Sequence, residues 1–169
     1  DLFVVTSKEY ADAAQSLNAK RILVIQNDNM IHKDDALLPH RAMKQWHKLH
    51  LALKMMRKEE GKSGTMYTHA LKIRSDYYFA HPSKILSQFV KTCQNPLIDI
   101  TGASDKVFGG SRDLMNLMSG FYYALLGWFN EQENSYWPIN LDQVLTSDDS
   151  IKWYGMNWPI ELVGRPKTT

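Results

Sequence analysis

The chain has 169 residues, 44% of them hydrophobic and 22% charged, which suits one soluble globular domain with a real core. A net charge of +2 is too balanced to argue for nucleic acid or an anionic membrane as partner. The single cysteine, Cys93, excludes an internal disulfide. Leu2 to Thr6 is rich in β-branched residues and predicts a buried strand. Ser7 is a candidate N-cap for a short helix from Lys8 to Leu17. Arg21 to Gln26 predicts a second buried strand, closed by the turn residues Asn27, Asp28 and Asn29. Strand, helix, strand implies a parallel βαβ unit with a right-handed crossover. Ligands of open α/β sheets bind beyond the carboxyl ends of the strands, so the Asn27–Asn29 turn is either a plain turn or a part of the crevice.

Pro39 to Glu60 is the strongest helix. Trp46, Leu49, Leu53 and Met56 recur at helical spacing, widened by Ala42, Met43 and Ala52. Gly61 and Gly64 are expected to end it. Arg41, Gln45 and Lys48 make a second, polar stripe, which is a solvated face or a ligand-facing one. His40, His47 and His50 lack a carboxylate or cysteine at zinc-site spacing.

The stretch Leu71-Lys-Ile-Arg-Ser-Asp-Tyr-Tyr-Phe-Ala-His-Pro82 is the most informative. A β-rich run is interrupted by Lys72, Arg74 and Asp76, and alternation places all three on one face. Burying charge is costly without a partner or ligand. The row suits an anionic ligand and a divalent metal. The rival readings are an amphipathic strand with a solvated face and a structural Arg74–Asp76 ion pair.

Pro82 and Ser83 open a helix through Val90, and Leu97 to Thr101 predicts a strand. Ser104 to Met115 begins as a short strand, turns at Gly109 and Gly110, and enters a helix capped by Ser111 with Asp113 in its first turn. That helix is expected to bury Leu114, Leu117, Met118, Phe121, Tyr122 and Leu125. Glu131 to Tyr136 reads as a loop. Asn140-Leu-Asp-Gln143 fits an N-cap with Gln at N3, opening a helix through Leu145. Ile151 to Leu162 is aromatic and extended, and Pro159 keeps Trp158 out of a helix. Core is the expected place of Trp46 and Trp128. No repeat or linker divides the chain, and a single domain over 1–169 is expected.

Four segments appear in a telling order. They are Arg41-Ala-Met-Lys-Gln-Trp-His-Lys-Leu-His-Leu-Ala52, Tyr67-Thr-His-Ala-Leu-Lys-Ile-Arg-Ser-Asp-Tyr-Tyr-Phe79, Ser104-Asp-Lys-Val-Phe-Gly-Gly-Ser-Arg-Asp-Leu-Met115 and Asn140-Leu-Asp-Gln-Val-Leu145. Their order resembles GT-A-fold glycosyltransferases, in particular the WavE-like group linked to lipopolysaccharide and capsular polysaccharide synthesis. The resemblance implies a Rossmann-like, mostly parallel sheet flanked by helices. It implies hexosyltransferase-type chemistry with a nucleotide-sugar donor and a glycan or polysaccharide acceptor. Donor contacts would come from Arg41, Gln45, Lys72, Arg74, Asp76 and Gln143. Asp76 matches the carboxylate that helps hold Mn²⁺ or Mg²⁺ on the donor diphosphate. Arg74 replaces the first acid of the usual Asp-x-Asp pair, so direct neutralisation by Lys72 and Arg74 is the alternative to a metal. Asp105 and Asp142 are the candidate catalytic carboxylates, Asp105 because a glycine turn beside it would admit a ligand. Leu2 to Thr6 looks like the second strand of such a fold, so its first, base-binding strand is expected to be absent, upstream or replaced.

A start at Asp1 without Met reads as a fragment or processed product. With no signal peptide or membrane span in the chain, a cytoplasmic place is expected. Two other readings stand beside the transferase. One is a non-catalytic carbohydrate- or nucleotide-binding module that stacks sugars on Trp153, Tyr154 and Trp158. The other is phosphoryl-transfer or phosphatase chemistry, weakened by the lack of a phosphate-cradling glycine loop.

Overall fold

The structure, a computed structural model, describes residues 1–26, 41–74, 77–78, 82–93, 100–103, 107–131, 153–155 and 161–162. In chain order these form β1 (Phe3–Ser7), a 3-10 turn (Lys8–Tyr10), α1 (Ala11–Gln15), β2 (Arg21–Ile25), α2 (Arg41–Ser63), β3 (His69–Ile73), β4 (Tyr77–Tyr78) and α3 (Pro82–Cys93). They continue with β5 (Ile100–Ala103), β6 (Val107–Ser111), α4 (Arg112–Glu131), β7 (Trp153–Gly155) and β8 (Glu161–Leu162). The chain is an α/β protein. Its contacts gather into two compact units, Asp1–Tyr67 with Asn116–Trp137, and Thr68–Met115 with Pro138–Thr169.

In the first unit β1 and β2 pair in parallel, Phe3 opposite Arg21 and Ser7 opposite Ile25. This is the expected βαβ unit, but its helix is shorter than the predicted Lys8–Leu17 and starts with the 3-10 turn. Ser7 makes no side-chain cap on that turn; its hydroxyl instead faces the Glu9 carboxylate at 3.5 Å. Neither strand is buried throughout, contrary to expectation: β1 is half-buried up to Ser7, and Arg21 and Leu23 of β2 are exposed.

α2 packs against β1 and, among the described residues, supplies most of the first unit's buried apolar side chains. Trp46, Leu49, Leu53 and Met56, the predicted stripe, are all buried. The helix runs through Gly61 and stops at Ser63. Gly64 is the terminator: its φ of +69° is readily reached without a Cβ, and its N–H bonds the Glu60 carbonyl at 2.9 Å. Gly61 therefore does not end the helix. Two buried acids, Glu59 and Glu60, lie near this C-terminus, where the helix dipole disfavours them. Cations and donors offset that cost. Arg21 Nη2 donates to Glu59 at 2.8 Å, Lys20 Nζ lies 3.6 Å from the same carboxylate, and the Tyr67 N–H donates to Glu60 at 3.1 Å. The Tyr67 hydroxyl donates to Asp1, and its ring meets Phe3 edge-on.

In the second unit a four-stranded sheet has the order β3-β6-β5-β7. β6 is antiparallel to both β3 and β5, while β5 and β7 are parallel. Hence β3, β5 and β7 run one way and β6 runs against them, a mixed sheet rather than the mostly parallel pairing expected. Within the described residues β3 is an outer strand, not a central one. A separate antiparallel pair joins Tyr77 to Leu162 and Tyr78 to Glu161. Ile151 to Leu162 is thus extended where it is described, at β7 and β8.

α3 packs on β6 and extends past the predicted Val90 to Cys93. Gly109 and Gly110 are strand residues, not a turn. The reason is steric. A Cβ at Gly109 would lie 2.5 Å from the Ala70 carbonyl oxygen and 2.8 Å from the Phe89 ring of α3. Only glycine lets β3, β6 and α3 come this close. Ser111 caps α4 as predicted, accepting the Leu114 N–H at 3.3 Å. On α4 the expected Met118 is fully buried, as is Met115, while Leu114 is half-buried and Leu117 is 54% exposed; the side chains of Phe121, Tyr122 and Leu125 lie outside the described residues.

Candidate functional site

Lys72 and Arg74 anchor the candidate site. They belong to the second unit, where β3 ends at Ile73. The predicted single strand from Leu71 to Pro82 is therefore divided: Arg74 lies past its end, and Tyr77 and Tyr78 pair in a different sheet. Alternation along one continuous strand consequently cannot carry the row beyond Ile73. Lys72 stays inside β3, opposite Phe108 of β6.

The two faces of this sheet are distinguishable. His69 meets the Phe89 ring edge-on at 6.4 Å, and Phe89 also abuts the Cβ direction of Gly109. α3 thus lies on the face of His69, Leu71, Ile73 and Gly109, of which His69 and Ile73 remain exposed. Lys72 and Phe108 project from the opposite face. There the Lys72 Nζ sits 5.2 Å from the centroid of the Phe108 ring, a cation–π contact. Lys72 and Arg74 are both half-buried.

Strand direction adds a second element. Ile73 and Ala103 are both paired with Val107, and Gly102 is paired with Gly155. The carboxyl ends of β3, β5 and β7 accordingly lie along one edge of the sheet, the edge beyond which Arg74 stands. In α/β sheets that edge is where ligands bind. The chain from Ala103 to Val107 carries Asp105.

Asp76, Asp105, Asp142 and Gln143 lie outside the described residues, as do the Asn27–Asn29 turn, His40 and Trp158. The glycine-turn argument for Asp105 does not hold, because Gly109 and Gly110 are paired in β6, and the missing Cβ of Gly109 makes room for β3 and for Phe89 of α3. Arg41 opens α2 and its side chain is not among those described. Gln45 is half-buried on α2, in the first unit. Among the described residues, no group of three His, Cys, Asp or Glu side chains is placed to hold a metal ion.

Titratable groups elsewhere behave differently. Burial pushes the Cys93 thiol up, which leaves it protonated and weakly nucleophilic at neutral pH. His50 of α2 lies edge-on to Tyr123 of α4, with 5.0 Å between ring centroids and 3.4 Å from Nε2 to the hydroxyl. Burial holds its pKa below the ordinary 6.5, a hydrogen bond with the Ser119 backbone opposes the shift, and Arg57 and Lys54 add to it.

Phe108 is the residue that sequence reasoning missed. Its signal was the short apolar pair Val107-Phe108 ahead of two glycines, but only the strand register sets it against Lys72. No protein-family model, no curated protein and no solved structure matches this chain. Among the described residues, no helix is long and apolar enough to cross a membrane.

Proposed function

We propose that the chain is a glycosyltransferase of the hexosyltransferase type, moving a sugar from a nucleotide-sugar donor to a glycan or polysaccharide acceptor. The observation that carries this reading is the alignment of the carboxyl ends of β3, β5 and β7, with Arg74 beyond that edge and Lys72 on the face away from α3. Departure of a nucleoside diphosphate builds up negative charge, and fixed cations stabilise it. Lys72 offers a point charge and Arg74 a planar fork that matches phosphate oxygens. Asp76, two residues past Arg74, is the candidate carboxylate for a divalent cation, which would neutralise the same diphosphate. Asp105 is the candidate base that accepts the acceptor hydroxyl's proton as the new glycosidic bond forms. Arg41, Gln45, Asp142 and Gln143 remain candidates for donor and acceptor contacts, resting on the resemblance described above.

The direct test is Asp76→Asn. Transfer from a panel of nucleotide sugars should fall at least about a hundredfold while the circular dichroism spectrum is retained. Full activity in that variant would refute the assignment. A thermal-shift panel with and without Mn²⁺ identifies the donor, because a ligand that binds only the folded state at about a hundred times its Kd adds about 2.7 kcal/mol.

A carbohydrate-binding module is the second reading. The placing of Trp153 and Tyr154 on β7, an outer strand of the four-stranded sheet among the described residues, favours it. Stabilisation by free glycans with no response to any nucleotide would select the module over the transferase.

A further inference from the structure

We propose that Lys54, Lys58 and Lys62 of α2 form a docking row for an anionic lipid surface. The chain's net charge of +2 does not by itself favour such a partner, because it averages over the whole molecule. α2 sorts its charges by side. Its two acids, Glu59 and Glu60, are buried, and Arg21 and Lys20 hold Glu59. Lys54, Lys58 and Lys62 are all exposed. Steps of four residues keep them on one side of the helix, about 6 Å apart along its axis. Neither Lys54 nor Lys58 has an acid three or four residues away. Among the described residues, none of the three is ion-paired. Like charges at this spacing repel one another, and an anion from outside the chain relieves that repulsion.

The chemistry of the row selects the kind of anion. A phosphate or carboxylate recognised singly is matched by arginine forks, and a nucleic-acid strand by stacked aromatic rings. α2 turns Arg57 to Asn116 of α4 at 2.8 Å, buries Trp46, and has no tyrosine or phenylalanine. The row offers point charges on long stems instead. Beside them stand the half-buried Leu51 and Met55, each three residues before a lysine of the row. A bilayer accepts both: the lysines reach its anionic headgroups, and aliphatic surface lies along its boundary.

The test is co-sedimentation of the full chain with vesicles of phosphatidylcholine containing about one-third phosphatidylserine, against phosphatidylcholine alone. The native chain should bind the anionic vesicles only, and less as salt rises. Each lysine lost should lower the partition coefficient about fivefold, so Lys54→Gln, Lys58→Gln and Lys62→Gln together should lower it about a hundredfold. Lys8→Gln, Lys84→Gln and Lys91→Gln, at exposed lysines of other elements, remove the same charge and should change it by less than about threefold. Lys54→Arg, Lys58→Arg and Lys62→Arg together keep the charge and should bind as the native chain does. Circular dichroism should be the same for all four chains. Native-like binding by the first glutamine triple, or equal losses in both, would make the row irrelevant and overturn the proposal. No binding by the native chain overturns it outright. So does tighter binding to heparin or single-stranded DNA that the same triple abolishes, which would assign the row to a soluble polyanion.

Discussion

Gly109 shows how much one missing carbon decides. Its nearest obstacle is the Ala70 carbonyl oxygen, a backbone atom that cannot rotate away. Gly109→Ala must therefore push β3 from β6 or displace α3, and overpacking of this kind costs about 1–3 kcal/mol. Urea denaturation should show a lower midpoint with an unchanged m-value. The sequence showed two glycines and invited a turn, because glycine marks turns and close approaches alike. His50 makes a second residue-scale prediction. Its folded pKa lies below 6.5, so the unfolded chain binds a proton more readily than the folded one. The stability this represents is whole above pH 6.5 and is lost as pH falls below that value toward the folded pKa. His50→Gln should flatten the dependence of the unfolding midpoint between about pH 7 and pH 5. An unchanged slope would show that other groups set it.

At the scale of elements, α2 and α4 differ in how well their patterns could be read. The α2 stripe of Trp46, Leu49, Leu53 and Met56 is buried as the period demands. α4 has apolar residues on most sides, so its period is blurred. The choice of Met115 over Leu117 as a core residue is made by what lies against the helix, not by the helix itself. Its start was legible, because Ser111 followed by Asp113 is a local signal and the cap bond to the Leu114 N–H is local chemistry. Ser111→Ala should cost about 1 kcal/mol, visible as a lower thermal midpoint with little loss of helix signal. The end of α2 was misplaced by three residues for the converse reason. A glycine is tolerated inside a long, well-packed helix, and the stop needs the positive φ that Gly64 adopts and Gly61 does not.

For the whole molecule, the proposed clamp is ionic, and its response to salt follows. Going from about 0.1 M to about 1 M ionic strength shortens the Debye length from about 10 Å to about 3 Å. The thermal shift produced by a nucleotide diphosphate should shrink accordingly, whereas a shift produced by a neutral glycan should persist. Salt-insensitive stabilisation by the nucleotide would argue against Lys72 and Arg74 as its partners. The α/β character, the parallel pairing of β1 with β2, the α2 core stripe and the Ser111 cap were all set by the sequence alone. Each depends on periodicity or on bonds spanning a few residues. Tertiary structure decided the antiparallel place of β6, the outer place of β3, the end of that strand at Ile73 and the pairing of Lys72 with Phe108. The β3–β6 pairing among them joins residues more than thirty positions apart. Strand register, which selects such partners, comes from the packing of the sheet and its covering helix and leaves no mark in any short stretch of sequence.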